Sequence, residues 1–243
     1  MQAWFEKLKA DFILNFVQAN RWKFLLNGLG NTLLITLLAC LLGIVIGVAI
    51  AMVRSTYDKT QEGARKTLGR RLFGVLNEIC RIYLTVLRGT PVVVQLMIIF
   101  FVIFASSDNG VLVAALAFGL NSGAYVAEIV RAGIMSVDHG QMEAGRSLGL
   151  NYIQTMRYII LPQAFKNILP TICNEFIALL KETAVIGYIA STDLTKGAYI
   201  IVGRVYEAFL PLIAAALIYL LIVMLLSWLF GKLERRLRAS DQR

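Results

Sequence analysis

The chain has 243 residues, of which 58% are hydrophobic and only 16% charged, with a formal net charge of +9. A soluble domain carries about a quarter charged residues, so this composition excludes an ordinary water-soluble fold. Lys and Arg cluster between apolar stretches, which assigns the positive charge to membrane-flanking loops rather than to a nucleic-acid partner.

Residues 1–27 form an amphipathic N-terminal segment, in which Trp4, Phe5, Phe12, Phe16 and Trp22 alternate with Lys7, Lys9, Arg21 and Lys23. This pattern predicts a helix lying on the bilayer surface. Residues 24–53 contain no charge and predict the first crossing at about 30–53. Ala49-Ile50-Ala51 has the form of a signal-peptide cleavage site, but the apolar stretch before it is far longer than the roughly 7–15 residues of a signal core. It therefore reads as a permanent span. Gly43 and Gly47 on this span have the G-x-x-x-G spacing that allows close helix approach. The loop 54–71 carries Arg54, Lys59, Arg65, Lys66, Arg70 and Arg71 against Asp58 and Glu62. The positive-inside rule makes it cytoplasmic.

A second helix is expected over about 73–105, of which 89–107 is uncharged. Thirty-two continuous residues would run about 48 Å, longer than the roughly 30 Å hydrocarbon core. Proline disfavours helical geometry at the preceding residue and lacks an N–H, so a break is predicted at Gly89-Thr90-Pro91. The turn Ser106-Ser107-Asp108-Asn109-Gly110 has no Lys or Arg and is expected outside. A third span follows at about 111–133. A fourth lies within 167–190, apolar except for Glu175, Lys181 and Glu182. Residues 191–206 are expected as an external loop holding Lys196 and Arg204, and a fifth span occupies 208–231. The expected fold is an all-α integral membrane protein of about five transmembrane helices, with the N-terminus outside and the C-terminus cytoplasmic. A basic cytoplasmic tail covers 233–243. Cys40, Cys80 and Cys173 sit in or beside apolar stretches and read as small buried hydrophobes. His139 has no Cys or His neighbour, so no metal site is expected.

The cytoplasmic loop 134–166 reads as two short helices, the first near 141–148 and ended by Gly149, a good C-terminal glycine. Asn151 and Gln154 have capping-box spacing for the second. Leu161-Pro162 is expected to end it, with Pro162 in the first turn of the next helix. A short rigid pair of this kind suits a lever for a soluble partner.

Several words in this sequence carry a resemblance. Glu143-Ala144-Gly145, then Gly149, then Ile159-x-Leu161-Pro162 resembles the EAA---G---------I-LP loop of ABC importer membrane subunits. Leu87-Arg88-Gly89-Thr90-Pro91, Ala124-Tyr125-Val126-Ala127-Glu128-Ile129, Leu161-Pro162-Gln163-Ala164 and the stretch from Asn174-Glu175 to Lys181-Glu182-Thr183 are similar to the polar amino-acid branch. The resemblance covers about 28–232, taken as the ABC importer transmembrane domain. One departure is Gly145, where the family usually has alanine. The resemblance implies a type I importer permease fold in the bacterial cytoplasmic membrane. The implied partners are a second copy or a related permease subunit, ABC ATPase subunits inside, an extracytoplasmic solute-binding protein and an amino-acid ligand. It also implies that the chain is a non-catalytic translocation subunit that binds no cofactor, ATP and Mg being held by the ATPase. The sequence agrees in having no G-x-x-x-x-G-K-[ST] phosphate loop. Gln141, Glu143, Ala144, Gly145 and Gly149, within the loop segment 140–162, are the implied contacts to the ATPase.

Ionisable and polar residues inside spans are costly and mark functional positions. Arg88 and Thr90 flank the predicted break. Asn121, Tyr125 and Glu128 share one face of the third span at i, i+4, i+7. Asn174, Ala178 and Lys181 share a face of the fourth, with Glu175 and Glu182 beside it. A zwitterionic amino acid needs a cation for its carboxylate and an acceptor for its ammonium. The candidate substrate residues are therefore Arg88, Thr90, Asn121, Glu128, Asn174 and Glu175. A structural pairing of Glu128 with Arg131, three residues on, is the alternative use of that carboxylate. An ion-coupled carrier would need internal repeats, which this sequence lacks. A passive membrane scaffold would give no reason for the break at Thr90-Pro91.

Overall fold

The computed structural model describes residues 1–60, 68–189 and 191–239. The expected loop charges Glu62, Arg65 and Lys66, and residues 240–243 of the basic tail, lie outside the described residues. Helices joined by short turns make up the described residues, with no strand among them. The α-helices are α1 (Gln2–Phe12), α2 (Trp22–Thr60), α3 (Leu68–Gly89), α4 (Val92–Ile98), α5 (Gly110–Met135), α6 (His139–Ser147), α7 (Tyr152–Thr155), α8 (Leu161–Glu182), α9 (Leu194–Val205) and α10 (Phe209–Ala239). In hydrocarbon each backbone N–H and C=O must be paired within the protein, and a helix does so within one segment.

Among the described residues three helices are long and apolar enough to cross a membrane: α2, α5 and α10. A fourth crossing results if α3 and the segment from α4 to Ile103 count as one broken span. The break falls at Thr90-Pro91, where expected: Pro91 cannot donate to the helix, and the Thr90 hydroxyl instead donates to the Val86 carbonyl at 2.8 Å. The remaining expected span, α8, is a 22-residue helix whose Lys166, Glu175, Lys181 and Glu182 keep it below the apolarity of a free-standing span. Charge on a crossing helix is tolerable where it faces protein or a polar cavity.

Two sequence expectations need correction. The region 191–206 holds the helix α9 rather than an open loop. Asp193, fully buried, caps it by accepting from the backbone N–H groups of Thr195 at 3.0 Å and Lys196 at 2.9 Å. Leu194, Ala198 and Ile201 then recur on one helical face, all buried. The second correction concerns Leu161-Pro162: Pro162 sits in the first turn of α8 as expected, but the preceding helix does not stop there. The capping box of Asn151 and Gln154 is present as expected. From it the chain runs through a π-helical turn, Met156–Ile160, straight into α8. The wider turn changes the hydrogen-bond register just before Pro162, where a missing N–H and a ring clash would otherwise interrupt the ladder.

The chain divides into two compact units interleaved along the sequence. One comprises residues 1–39, 92–118 and 177–227; the other comprises 40–91, 119–176 and 228–243. In the first, Phe16, Leu25, Leu194, Ala198, Ile201 and Ala215 form the core. In the second, Ala51, Val126, Val130, Ile134, Ile160, Ala164 and Ile168 do so. There the two glycines of the α2 G-x-x-x-G face α5: a Cβ on Gly43 would lie 3.1 Å from the Ser122 side chain, and one on Gly47 2.6 Å from Val126. Lipid tails are as apolar as leucine, so this close approach, rather than hydrophobic exclusion from water, holds the helices together. The exposed row Leu33, Leu37, Leu41 and Val45 along α2 has the i, i+4 spacing of a lipid-facing stripe.

Candidate functional site

Within the second unit a cavity of about 700 Å³ opens between α3, α5 and α8, in the size range of ligand pockets. Its lining includes Arg88, Tyr125, Glu128, Asn167, Thr171 and Glu175. Three of the six predicted substrate residues, Arg88, Glu128 and Glu175, thus come from three helices to one space. The Arg88 guanidinium lies over the Tyr125 ring at 5.7 Å, a cation–π placement that holds a cation while leaving its edge open to a ligand. Glu175 accepts a hydrogen bond from the Ser122 hydroxyl at 2.9 Å. Among the described residues it has no ion-pair partner. The cavity therefore offers a guanidinium at one place and an unpaired carboxylate at another, the complement of a zwitterion.

The other three candidates occupy different positions. Asn121 is buried and donates to the Leu87 carbonyl at 3.2 Å, which steadies the end of α3 beside Arg88. Thr90 closes that same end on Val86, as described above. Asn174 is exposed on α8 and does not line the cavity, whereas its neighbour Glu175 does. The alternative pairing of Glu128 with Arg131 does not form. Arg131 binds Asp58 at 3.0 Å, whereas Glu128 meets Arg54 at 3.3 Å and Arg88 at 3.6 Å. Ser122, Thr171 and Arg54 were not predicted as parts of this site. Thr171 is one turn before Glu175 on α8 and could have been found by that spacing. Arg54 and Ser122 are joined to it only by tertiary contacts.

The loop that follows α5 presents a second surface. Asp138 caps α6, its side chain accepting from the Gly140 N–H at 2.6 Å. Gln141, Glu143, Ala144 and Gly149 are exposed, while Met142 packs against the core. Gly145 is buried: a Cβ there would lie 2.4 Å from the Thr155 methyl carbon. The departure from alanine noted in the sequence thus fits α6 closely against α7, and Gly145 contributes packing rather than exposed surface. Gly149 has a φ of +81°, a left-handed conformation that closes the helix end at little steric cost only for glycine. On either side of it, Leu148 and Ile153 are 78% and 74% exposed, apolar side chains projecting from a charged loop in the manner of a partner surface.

The comparisons with known proteins agree with one another. Residues 43–239 match the family described as binding-protein-dependent transport system inner membrane component. The chain is 40% identical over 184 residues to a putative glutamine transport system permease protein, GlnP, of Rickettsia bellii, covering 70% of this chain and 84% of the relative. It is 40% identical over 185 residues to the arginine transport system permease protein ArtQ of Bacillus subtilis, with the same coverage. Against the glutamine permease GlnP of Escherichia coli it is 37% identical over 174 residues, covering 69% and 80%. A crystal structure of an amino acid ABC transporter with histidines superposes with a TM-score of 0.79 at 38% identity, over 90% of this chain and 97% of that one. An inward-facing methionine ABC transporter, MetNI, superposes with a TM-score of 0.73 at 19% identity, covering 90% and 98%, a likeness of fold alone.

Proposed function

The chain belongs to the family of binding-protein-dependent transport system inner membrane components, and from that premise we propose that its Arg88–Glu175 cavity carries a polar or cationic amino acid by its charged ends. It is a multi-pass membrane permease subunit of an amino-acid ABC importer. The ligand carboxylate sits on Arg88, and its ammonium or a cationic side chain sits on Glu175. The observation that carries this reading is that Glu175, among the described residues, lacks an ion-pair partner within a cavity that also holds Arg88. The test is uptake of labelled amino acids into vesicles containing the chain with its ATPase and binding protein, comparing Glu175→Gln with wild type. Removing this carboxylate is expected to reduce uptake of arginine or lysine about tenfold or more, and uptake of glutamine less. Equal rates for every ligand would remove Glu175 from the site.

Family membership supports a reading of the remaining parts of the importer. A solute-binding protein delivers the amino acid from outside, and a second permease subunit, identical or related, completes the pathway. ATP and Mg act on separate ATPase subunits, which meet this chain at Gln141, Glu143, Ala144, Leu148 and Ile153. The loop charges support an N-terminus outside and a C-terminus in the cytoplasm. The three native cysteines are buried, so introduced cysteines report the topology. In intact cells a membrane-impermeant maleimide should label Ser106→Cys and spare Ser147→Cys until the membrane is permeabilised. The reverse pattern would invert the orientation.

A further inference from the structure

Glu128 is shared by two arginines, and the two contacts are unequal. Both approach the same carboxylate oxygen, Oε1, Arg54 Nη1 at 3.3 Å and Arg88 Nη1 at 3.6 Å. The shorter contact is a hydrogen bond, and the longer is only a charge attraction. The environments differ in the same sense. The Arg54 side chain is 16% exposed and is not part of the cavity lining, whereas the Arg88 side chain is 44% exposed and is part of it. Arg54 Nε is buried and has no hydrogen-bond partner among the described residues, so its guanidinium depends on Glu128. A charge in low dielectric holds its partner more strongly than one open to water.

We infer that Arg54 is a positioning residue for ligand binding: by holding the Glu128 carboxylate, it keeps the Arg88 guanidinium available for the carboxylate of the ligand. The inference rests on the proposed reading of the cavity. With Arg54 removed, Glu128 has one guanidinium left within reach. The side chains then close into a bidentate Arg88–Glu128 pair, the geometry arginine and carboxylate favour. That pair satisfies the donors the ligand needs, and the ligand must break it to bind. A second cross-helix pair, Asp58 with Arg131 at 3.0 Å, lies one turn further along both α2 and α5. It fixes the spacing of the two helices without touching Glu128, so the Arg54 contact can be altered while that support remains.

The test is a double-mutant cycle in vesicles holding the assembled importer, read as KM and Vmax for amino-acid uptake and normalised to the amount of co-purified ATPase. Arg54→Gln is expected to raise KM about tenfold with Vmax little changed. In a Glu128→Gln background the same substitution should change KM less than about twofold, because no carboxylate remains to capture Arg88. An unchanged KM for Arg54→Gln, or an equal rise in both backgrounds, overturns the positioning role; the second result would mean that Arg54 merely supports the fold. If Arg54→Gln lowers the amount of assembled complex, Arg54→Lys replaces it in the cycle. Its single ammonium still meets Glu128, so a smaller rise of about threefold is expected, again confined to the background that retains Glu128. Arg88→Gln separates the two ideas. If it raises KM while Arg54→Gln does not, only the positioning role fails. If Arg88→Gln leaves KM unchanged, the ligand reading of the cavity fails.

Discussion

Arg88→Lys should lower amino-acid uptake at least about tenfold while the chain still inserts and assembles. Guanidinium and carboxylate meet through two parallel hydrogen bonds, and an ammonium offers a point charge instead. A hydrogen bond to a charged group is worth about 1.5–3 kcal/mol, which corresponds to roughly tenfold to over a hundredfold in rate or affinity. Lysine also loses the planar stacking over Tyr125, where Arg88 lies 5.7 Å from the ring. The fold should tolerate the change, since nearly half of the Arg88 side chain is exposed and its nearest acidic partner, Glu128, keeps Arg54. Uptake by vesicles, with complex assembly followed by co-purification, is the measurement. Wild-type transport of every amino acid by Arg88→Lys would make Arg88 a structural residue of the helix break.

Changes in the α6 loop should uncouple the ATPase rather than abolish binding. Glu143 is exposed and makes no ion pair among the described residues, so Glu143→Ala should cost almost nothing in stability. It should nevertheless reduce uptake, and the ATPase response to loaded binding protein, about tenfold or more. Gly149→Val should act by a different route. A β-branched residue at a φ of +81° is strained by about 1–3 kcal/mol. The strain is relieved by loosening the end of α6, which displaces the exposed face carrying Gln141, Glu143 and Leu148. Both variants should leave membrane insertion intact, because the affected surface is outside the buried core. Normal transport by both would remove this loop from the coupling mechanism.

Charge spacing and apolar run length were enough to identify a helical membrane protein, and the loop words identified its family. The break at Thr90-Pro91 was legible because proline acts through local backbone chemistry. The capping box of Asn151 and Gln154 was legible for the same reason. Helix α9 was missed because its buried face, Leu194, Ala198 and Ile201, has meaning only once Phe16, Leu25 and Ala215 supply a surface for it. The helix end at Leu161-Pro162 was wrongly expected because a π turn can absorb a proline, and its occurrence depends on packing around Ile160 and Ala164.

The candidate site divides along the same line. Its residue types could be chosen from the sequence, because a charge within an apolar helix is costly enough to require a purpose. Which charges face one another could not, because helical phase and interhelical register are set by close packing such as that of Gly43 and Gly47 of α2 against Ser122 and Val126 of α5. That register brings Arg88, Glu128 and Glu175 to one cavity, turns Asn174 away and commits Arg131 to Asp58. The sequence by itself determined the helical membrane class, the short helix pair that follows α5 and the residue types available for an amino acid. Only the tertiary structure decided the partners of each charge, since a Coulomb interaction depends on distances that local sequence does not encode.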